Sequence, residues 1–160
     1  MHGRRKPRQP RPALPPRGLR PKFSRSQLSS LSLSHAVDVA DIAAGRATVA
    51  IMWQWAGAAL MWSRIAQQLG AGQAEMTAQL DTVDAVVQRY LRTGRIGFSG
   101  PELQTAQLAN GWMDDLAELV DLHTADAACA WSTELLNRIA AKGMSVRQAL
   151  PQILTATQAP

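Results

Sequence analysis

The chain has 160 residues, enough for one domain with a real core but not for two. Nine of its 17 basic residues and none of its 12 acidic ones lie in residues 1–25, so the high isoelectric point belongs to the N-terminus and the remainder is net acidic. A single cysteine, Cys129, excludes an intramolecular disulfide and a disulfide scaffold.

Residues 1–25 hold Arg4, Arg5, Lys6, Arg8, Arg11, Arg17, Arg20, Lys22 and Arg25 among six prolines. Proline fixes φ and removes a backbone donor, and few apolar residues are present to bury. The segment reads as a disordered basic arm with polyproline-II bias, reaching on the order of 70 Å. Such an arm seeks polyanions or folds back on an acidic surface. Pro12-Ala-Leu-Pro-Pro-Arg17 has the pattern of an SH3 ligand, though Pro/Arg-rich tracts produce it by chance. Arginine between prolines also suits narrow minor grooves, and non-specific phosphate contact demands less. The run after Arg4-Arg5 carries Asp38 and Asp41, so no cleaved signal is expected.

Residues 26–35 are serine-rich and read as a linker, with a later serine capping the first helix and Asp38 near its first turns. The domain proper is expected over 36–155. Its first helix is predicted from about Ala36 to Leu69, with Val37, Ala40, Ala44, Ile51, Trp55, Ala58 and Trp62 at near-helical spacing. Gly45 and Gly57 lie inside this span as sites of a bend or of close helix contact. Between Arg46 and Arg64 there is no charge, and three of the five tryptophans (Trp53, Trp55, Trp62) stand there. So apolar a stretch must be buried. At 17 uncharged residues it falls short of the roughly 20 needed to span a bilayer, and its tryptophans lie mid-span, so a core helix is expected and no membrane partner.

Gly70-Ala-Gly72 ends that helix. A second is predicted from about Ala74 to Thr93, with Met76, Leu80, Val83, Val87 and Tyr90 on one face and Gly94 as terminator. In the connection that follows, Gly94, Gly97 and Gly100 recur beside Arg92 and Arg95. It reads as a structured turn, since a phosphate-cradling loop would need a preceding strand and a lysine. Ser99 with Glu102 predicts a capping box, and Pro101 suits a first turn. The third helix runs to somewhere between His123 and Ala130, facing the core with Leu103, Ala106, Ala109, Trp112 or Met113, Leu116, Leu119 or Val120, and His123. Ser132 or Thr133 then caps a short helix to Ala141, with Leu135, Leu136 and Ile139 apolar, and Gly143 ends it. Ser145 caps a last piece over 146–154.

Asp114, Glu118 and Asp121 share a helix face by spacing, which reads as solvated acid rather than a cation site. His123 with Asp126 supplies two ligands at most, and Cys129 in its alanine-rich setting reads as a buried inert thiol. No catalytic residue, metal ligand or cofactor is expected, and the chain is read as non-enzymatic. Arg92-Thr-Gly-Arg95, Gly100-Pro-Glu-Leu-Gln104, Val120-Asp-Leu-His123 and Glu134-Leu135 resemble a pattern in uncharacterised small helical proteins of bacteriophages and prophages, which also open with a basic leader. The resemblance implies a bacterial cytoplasm and an accessory role.

The expectation is therefore an all-α fold: three main helices and a short C-terminal one behind the arm. The arm binds DNA or RNA non-specifically through its nine basic residues, and the body is free to form a homo-oligomer. The alternative is an assembly module whose arm docks on an acidic protein partner, with a membrane-associated protein the least favoured reading.

Overall fold

The computed structural model describes residues 20–143, 145, 146 and 148. It is all-helical, with five helices among the described residues: α1 (Arg25–Ala43), α2 (Val49–Leu69), α3 (Gln73–Thr93), α4 (Gly100–Leu119) and α5 (Leu122–Lys142). The expected count of three plus one is corrected at two places, each with a local cause.

The expected helix over 36–69 is two helices. Gly45 takes a left-handed φ of 69°, and the amides of Gly45 and Arg46 bond back to the carbonyls of Ile42 and Asp41. That pairing is a Schellman motif, which satisfies the orphan carbonyls at a helix C-terminus. The Arg46 guanidinium closes it on Asp41 at 2.9 Å. Thr48 then accepts from the Ile51 amide and caps α2. The serine-rich residues 26–35 are likewise helical rather than linker. Ser24 and Gln27 form a capping box, each side chain bonding the other's backbone amide, so α1 begins before the serines. Asp38 is consequently mid-helix and buried, while Val37, Ala40 and Ala44 point outward.

The second correction lies at the end of α4. The helix stops at Leu119, Val120 turns extended, and the Asp121 carboxylate accepts from the Thr124 amide at 2.8 Å as the cap of α5. Helix α5 then runs unbroken through Trp131. Ser132 and Thr133 do not cap anything; their hydroxyls donate to the Cys129 carbonyl at 2.9 and 3.0 Å. The other expected boundaries stand: Gly94 and Gly143 end α3 and α5 in left-handed conformations, and Ser99 with Glu102 forms the capping box that opens α4. Of the expected last piece, Ser145 and Gln148 bond each other's amides and Val146 is buried; the rest lies outside the described residues.

Helices α1 to α4 form a ring in which α1 meets α2, α2 meets α3, α3 meets α4 and α4 meets α1; among the five helices, α5 packs on α2. Successive helices run antiparallel: His35 faces Trp62 and Asp38 faces Gln54 between α1 and α2, while Arg89 reaches Glu102 between α3 and α4. The molecule is an up-down four-helix bundle with a fifth helix laid on the outside of α2. This explains the charge-free stretch of α2. One side fills the bundle and the other receives α5, so the helix is apolar nearly all round. Gly57 permits the close approach of α5, since a Cβ there would stand 2.9 Å from Leu136 Cδ1. No helix of the described residues is long and apolar enough to cross a membrane.

The core has two layers along the bundle axis. The distal layer, near the α1–α2 and α3–α4 connections, packs Ile42, Met52, Trp55, Val83 and Ile139. The proximal layer, near the start of α1, packs Trp62, Ile65, Met76, Met113 and Leu116, with Phe23 against it. The α3 stripe is buried as the spacing predicts, with Tyr90 half-buried at its end. On α4 the structure buries Met113 and Val120, leaving Trp112 half-buried and Leu119 exposed.

Candidate functional site

The basic residues Arg4, Arg5, Lys6, Arg8, Arg11 and Arg17 lie outside the described residues. The structure places the last three of the nine. Arg20 pairs with Asp121 at 3.6 Å. Lys22 forms an antiparallel bridge with Asp121, with Leu122 donating its amide to the Pro21 carbonyl at 2.8 Å, and the Lys22 ammonium donates to the Glu118 carbonyl at 3.4 Å. Phe23 packs on the proximal layer and Ser24 caps α1. Residues 20–24 therefore clamp the α4–α5 corner and are part of the body. Arg25 is exposed in the first turn of α1, where the helix dipole disfavours a cation.

Asp121 is the hub of this corner. Its carboxyl is held below the usual range, first by the Thr124 amide and further by the Thr124 hydroxyl and Arg20, against a smaller opposing effect of burial.

Antiparallel packing brings acidic side chains of α3, α4 and α5 to one end of the bundle. Glu75, Asp114, Asp115, Glu118, Asp121 and Asp126 lie toward the proximal end, where the N-terminal segment enters. Arg46, Arg89, Arg92, Arg95, Arg138 and Lys142 lie toward the distal end. Three of these have acidic partners: Arg46 with Asp41, Arg89 with Glu102 at 2.6 Å, and Arg138 with Glu134. Arg92, Arg95 and Lys142 are exposed and make no ion pair among the described residues. Asp41, Glu102 and Glu134 also lie toward the distal end, and Arg20, Lys22, Arg25 and Arg64 toward the proximal one, so each end carries both signs.

The glycine-rich connection is the structured turn expected. Arg89 spans it, donating to the Gly97 carbonyl and the Glu102 carboxylate, both at 2.6 Å. Glu102 also takes the Ser99 amide at 2.7 Å. Burial pushes the Glu102 carboxyl up, but the Arg89 and Ser99 bonds outweigh it and leave the group below its usual range. Ile96 and Phe98 tuck into the distal layer, with Phe98 edge-on to Trp55 at 5.3 Å.

The acidic face of Asp114, Glu118 and Asp121 is dispersed by the helix break. Asp114 accepts the Ser32 hydroxyl at 3.0 Å, Glu118 stays exposed, and Asp121 belongs to the next helix. No three metal-ligating side chains gather among the described residues. His123, expected at the core edge, is exposed because the restart at Asp121 rotates α5 relative to α4, and Cys129, expected in the core, is exposed as well.

Sequence reasoning missed a buried polar pair of contacts between α1 and α2. Trp62 Nε1 donates to His35 Nε2 at 3.2 Å, with the rings edge to face. His35 must be neutral at Nε2 to accept, and burial lowers its pKa, while Asp114 opposes that. Asp38 accepts from Gln54 Nε2 at 3.1 Å, and burial raises its carboxyl pKa despite that bond. The signal available was the Ser24-x-x-Gln27 cap, which sets the register that turns residues 35, 38 and 42 inward.

Compared with known proteins, the chain matches no protein family, no curated protein and no solved structure.

Proposed function

We propose that this protein is a non-enzymatic accessory or regulatory protein whose basic N-terminal residues bind nucleic acid through the phosphates, with little sequence preference. The observation that carries the reading is nine basic residues without an acid in residues 1–25, rooted on a bundle whose adjoining surface is acidic. A polyanion is attracted to the segment and repelled by the surface beneath it, so contact falls to the N-terminal residues. Among the described residues no helix has the basic face of a recognition helix, which argues for backbone contact over base reading. The resemblance of residues 92–135 supports a phage or prophage setting and a bacterial cytoplasm.

With nine charges and about half in contact, log K should fall against log salt with a slope of about −4 on duplex DNA. Changing Arg4, Arg5, Lys6 and Arg8 together to Ala should weaken binding to all sequences alike, as read by fluorescence anisotropy with the full chain. Absence of binding to DNA and RNA at low salt refutes this reading.

A second reading is favoured by one observation. Arg20 and Lys22 already rest on an acidic protein corner, which is how an arm that docks on an acidic protein partner would engage it. A pull-down with the full chain and its quadruple Ala variant separates this reading from the first.

A further inference from the structure

The seam between α1 and α4 is lined on α1 by small side chains. Ser29, Ser32, Ala36, Ala40 and Ala43 leave it shallow and open. Two depressions, of about 510 and 270 Å³, lie end to end along it and share Ala36. The larger carries Asp114 and Glu118 on its α4 side and Leu33 on its α1 side, and no basic residue lines either one. Leu33 is 66% exposed and Val37 47% exposed on the same helix.

The groove is thus extended, lined on α1 by serines, alanines and Leu33, with Asp114, which also accepts from Ser32, and Glu118 on α4 at its proximal end. From Glu118 to Leu103 along α4 it runs about 22 Å on helical rise. A polyproline-II segment covers that distance in about seven residues. Arg11-Pro-Ala-Leu-Pro-Pro-Arg17 has the proline content that favours this conformation, with a leucine at its centre and arginines at its ends. Its tether is in place: the chain reaches the body at Arg20, and Lys22 touches the Glu118 carbonyl at the mouth of the groove.

We propose that the α1–α4 groove is a docking site for residues 11–17 of the same chain. Leu14 seats between Leu33 and the α4 wall, and Arg17 lies against Glu118 and Asp114. Charge complementarity selects this occupant over a second acidic body, and the short tether selects it over the same segment of another copy. The proposal concerns the protein alone and stands independently of nucleic-acid binding.

The test uses the full chain carrying Leu14→p-benzoylphenylalanine. After irradiation, peptide mapping should place the adducts on residues 29–36 of α1 and 107–118 of α4, in species of monomer mass. The yield should fall about fivefold with Glu118→Arg and recover when Arg17→Glu is added. Glu118 is exposed, so the substitution leaves the core intact, and circular dichroism checks this. Adducts confined to other surfaces, adducts found only between two chains, or a yield indifferent to the charge exchange each overturn the proposal.

Discussion

Truncation at two points separates the N-terminal residues that belong to the fold from those that do not. Removal of residues 1–19 leaves every contact of the Pro21–Ser24 clamp in place. Tethered docking of residues 11–17 adds little to stability, under about 1 kcal/mol at the modest affinity of a shallow groove. Removal of residues 1–24 deletes the Ser24 cap, worth about 1 kcal/mol. It also deletes the hydrogen bond from Leu122 to Pro21, worth about 1 kcal/mol, and the half-buried Phe23, worth about as much again. The sum of about 3 kcal/mol corresponds to a fall of roughly 12 °C in the thermal midpoint for a domain of this size. Differential scanning calorimetry of the full chain and both truncations reads the difference directly. If the two truncations melt within a degree or two of each other, the clamp is not part of the folding unit and the domain begins at α1 itself.

The buried His35 gives a pH signature. Its folded pKa lies below the ordinary 6.5, so its contribution is whole above that value and is lost as pH falls through it, when the unfolded chain takes up the proton first. The midpoint should drop between pH 8 and pH 5.5, and His35→Leu should flatten that limb; an unchanged limb would remove His35 as its source. Gln79 is fully buried with both amide atoms unpartnered among the described residues, so Gln79→Met should raise stability by about 1 kcal/mol in urea melts. A loss of stability instead would show that the amide has a partner in solution.

The parts of the fold legible in the sequence are those with a 3.6 period and a conventional stop. Met76 to Val87 gives α3 because four apolar residues fall on one face and Gly94 follows. Ser99 and Glu102 give the start of α4 because a capping box is a local pattern. The centrality of α2 follows from its lack of charge. Two boundaries were not legible. Gly45 looks like a tolerated interior glycine until the Asp41–Arg46 closure shows it as a C-terminal stop. Asp121 looks like the third acid of a solvated face, because a two-residue turn through Val120 contains neither glycine nor proline. Misplacing that boundary also misplaced His123, whereas Cys129 was placed in the core on its alanine-rich setting and is exposed. Of the candidate site, the basic residues are legible by counting. The gathering of acids at the proximal end and the groove along α1 and α4 depend on which helices are neighbours, and no local pattern encodes that.

Asp121 shows how the corner joins its parts, since its carboxylate caps α5 and pairs with Arg20 while its backbone bridges to Lys22. The two side-chain functions can be separated by substitution. Asparagine caps a helix about as well as aspartate, so Asp121→Asn keeps the bond from the Thr124 amide and loses the charge pair together with the oxygen that accepts the Thr124 hydroxyl. That pair is partly solvent-exposed, so Asn should cost under about 1 kcal/mol, less as salt rises. Asp121→Ala loses the cap as well and should cost about 1 kcal/mol more. Both variants should lose the same acid limb: the native carboxyl sits below its ordinary 3.8, so its stabilisation is whole above that value and disappears as pH falls through the folded pKa. A cap-dominated corner therefore ranks Asn near the native protein and Ala below it at every salt concentration. If Asn instead matches Ala, and both recover in high salt, the charge pair rather than the cap holds the corner, and the N-terminal segment would be anchored electrostatically.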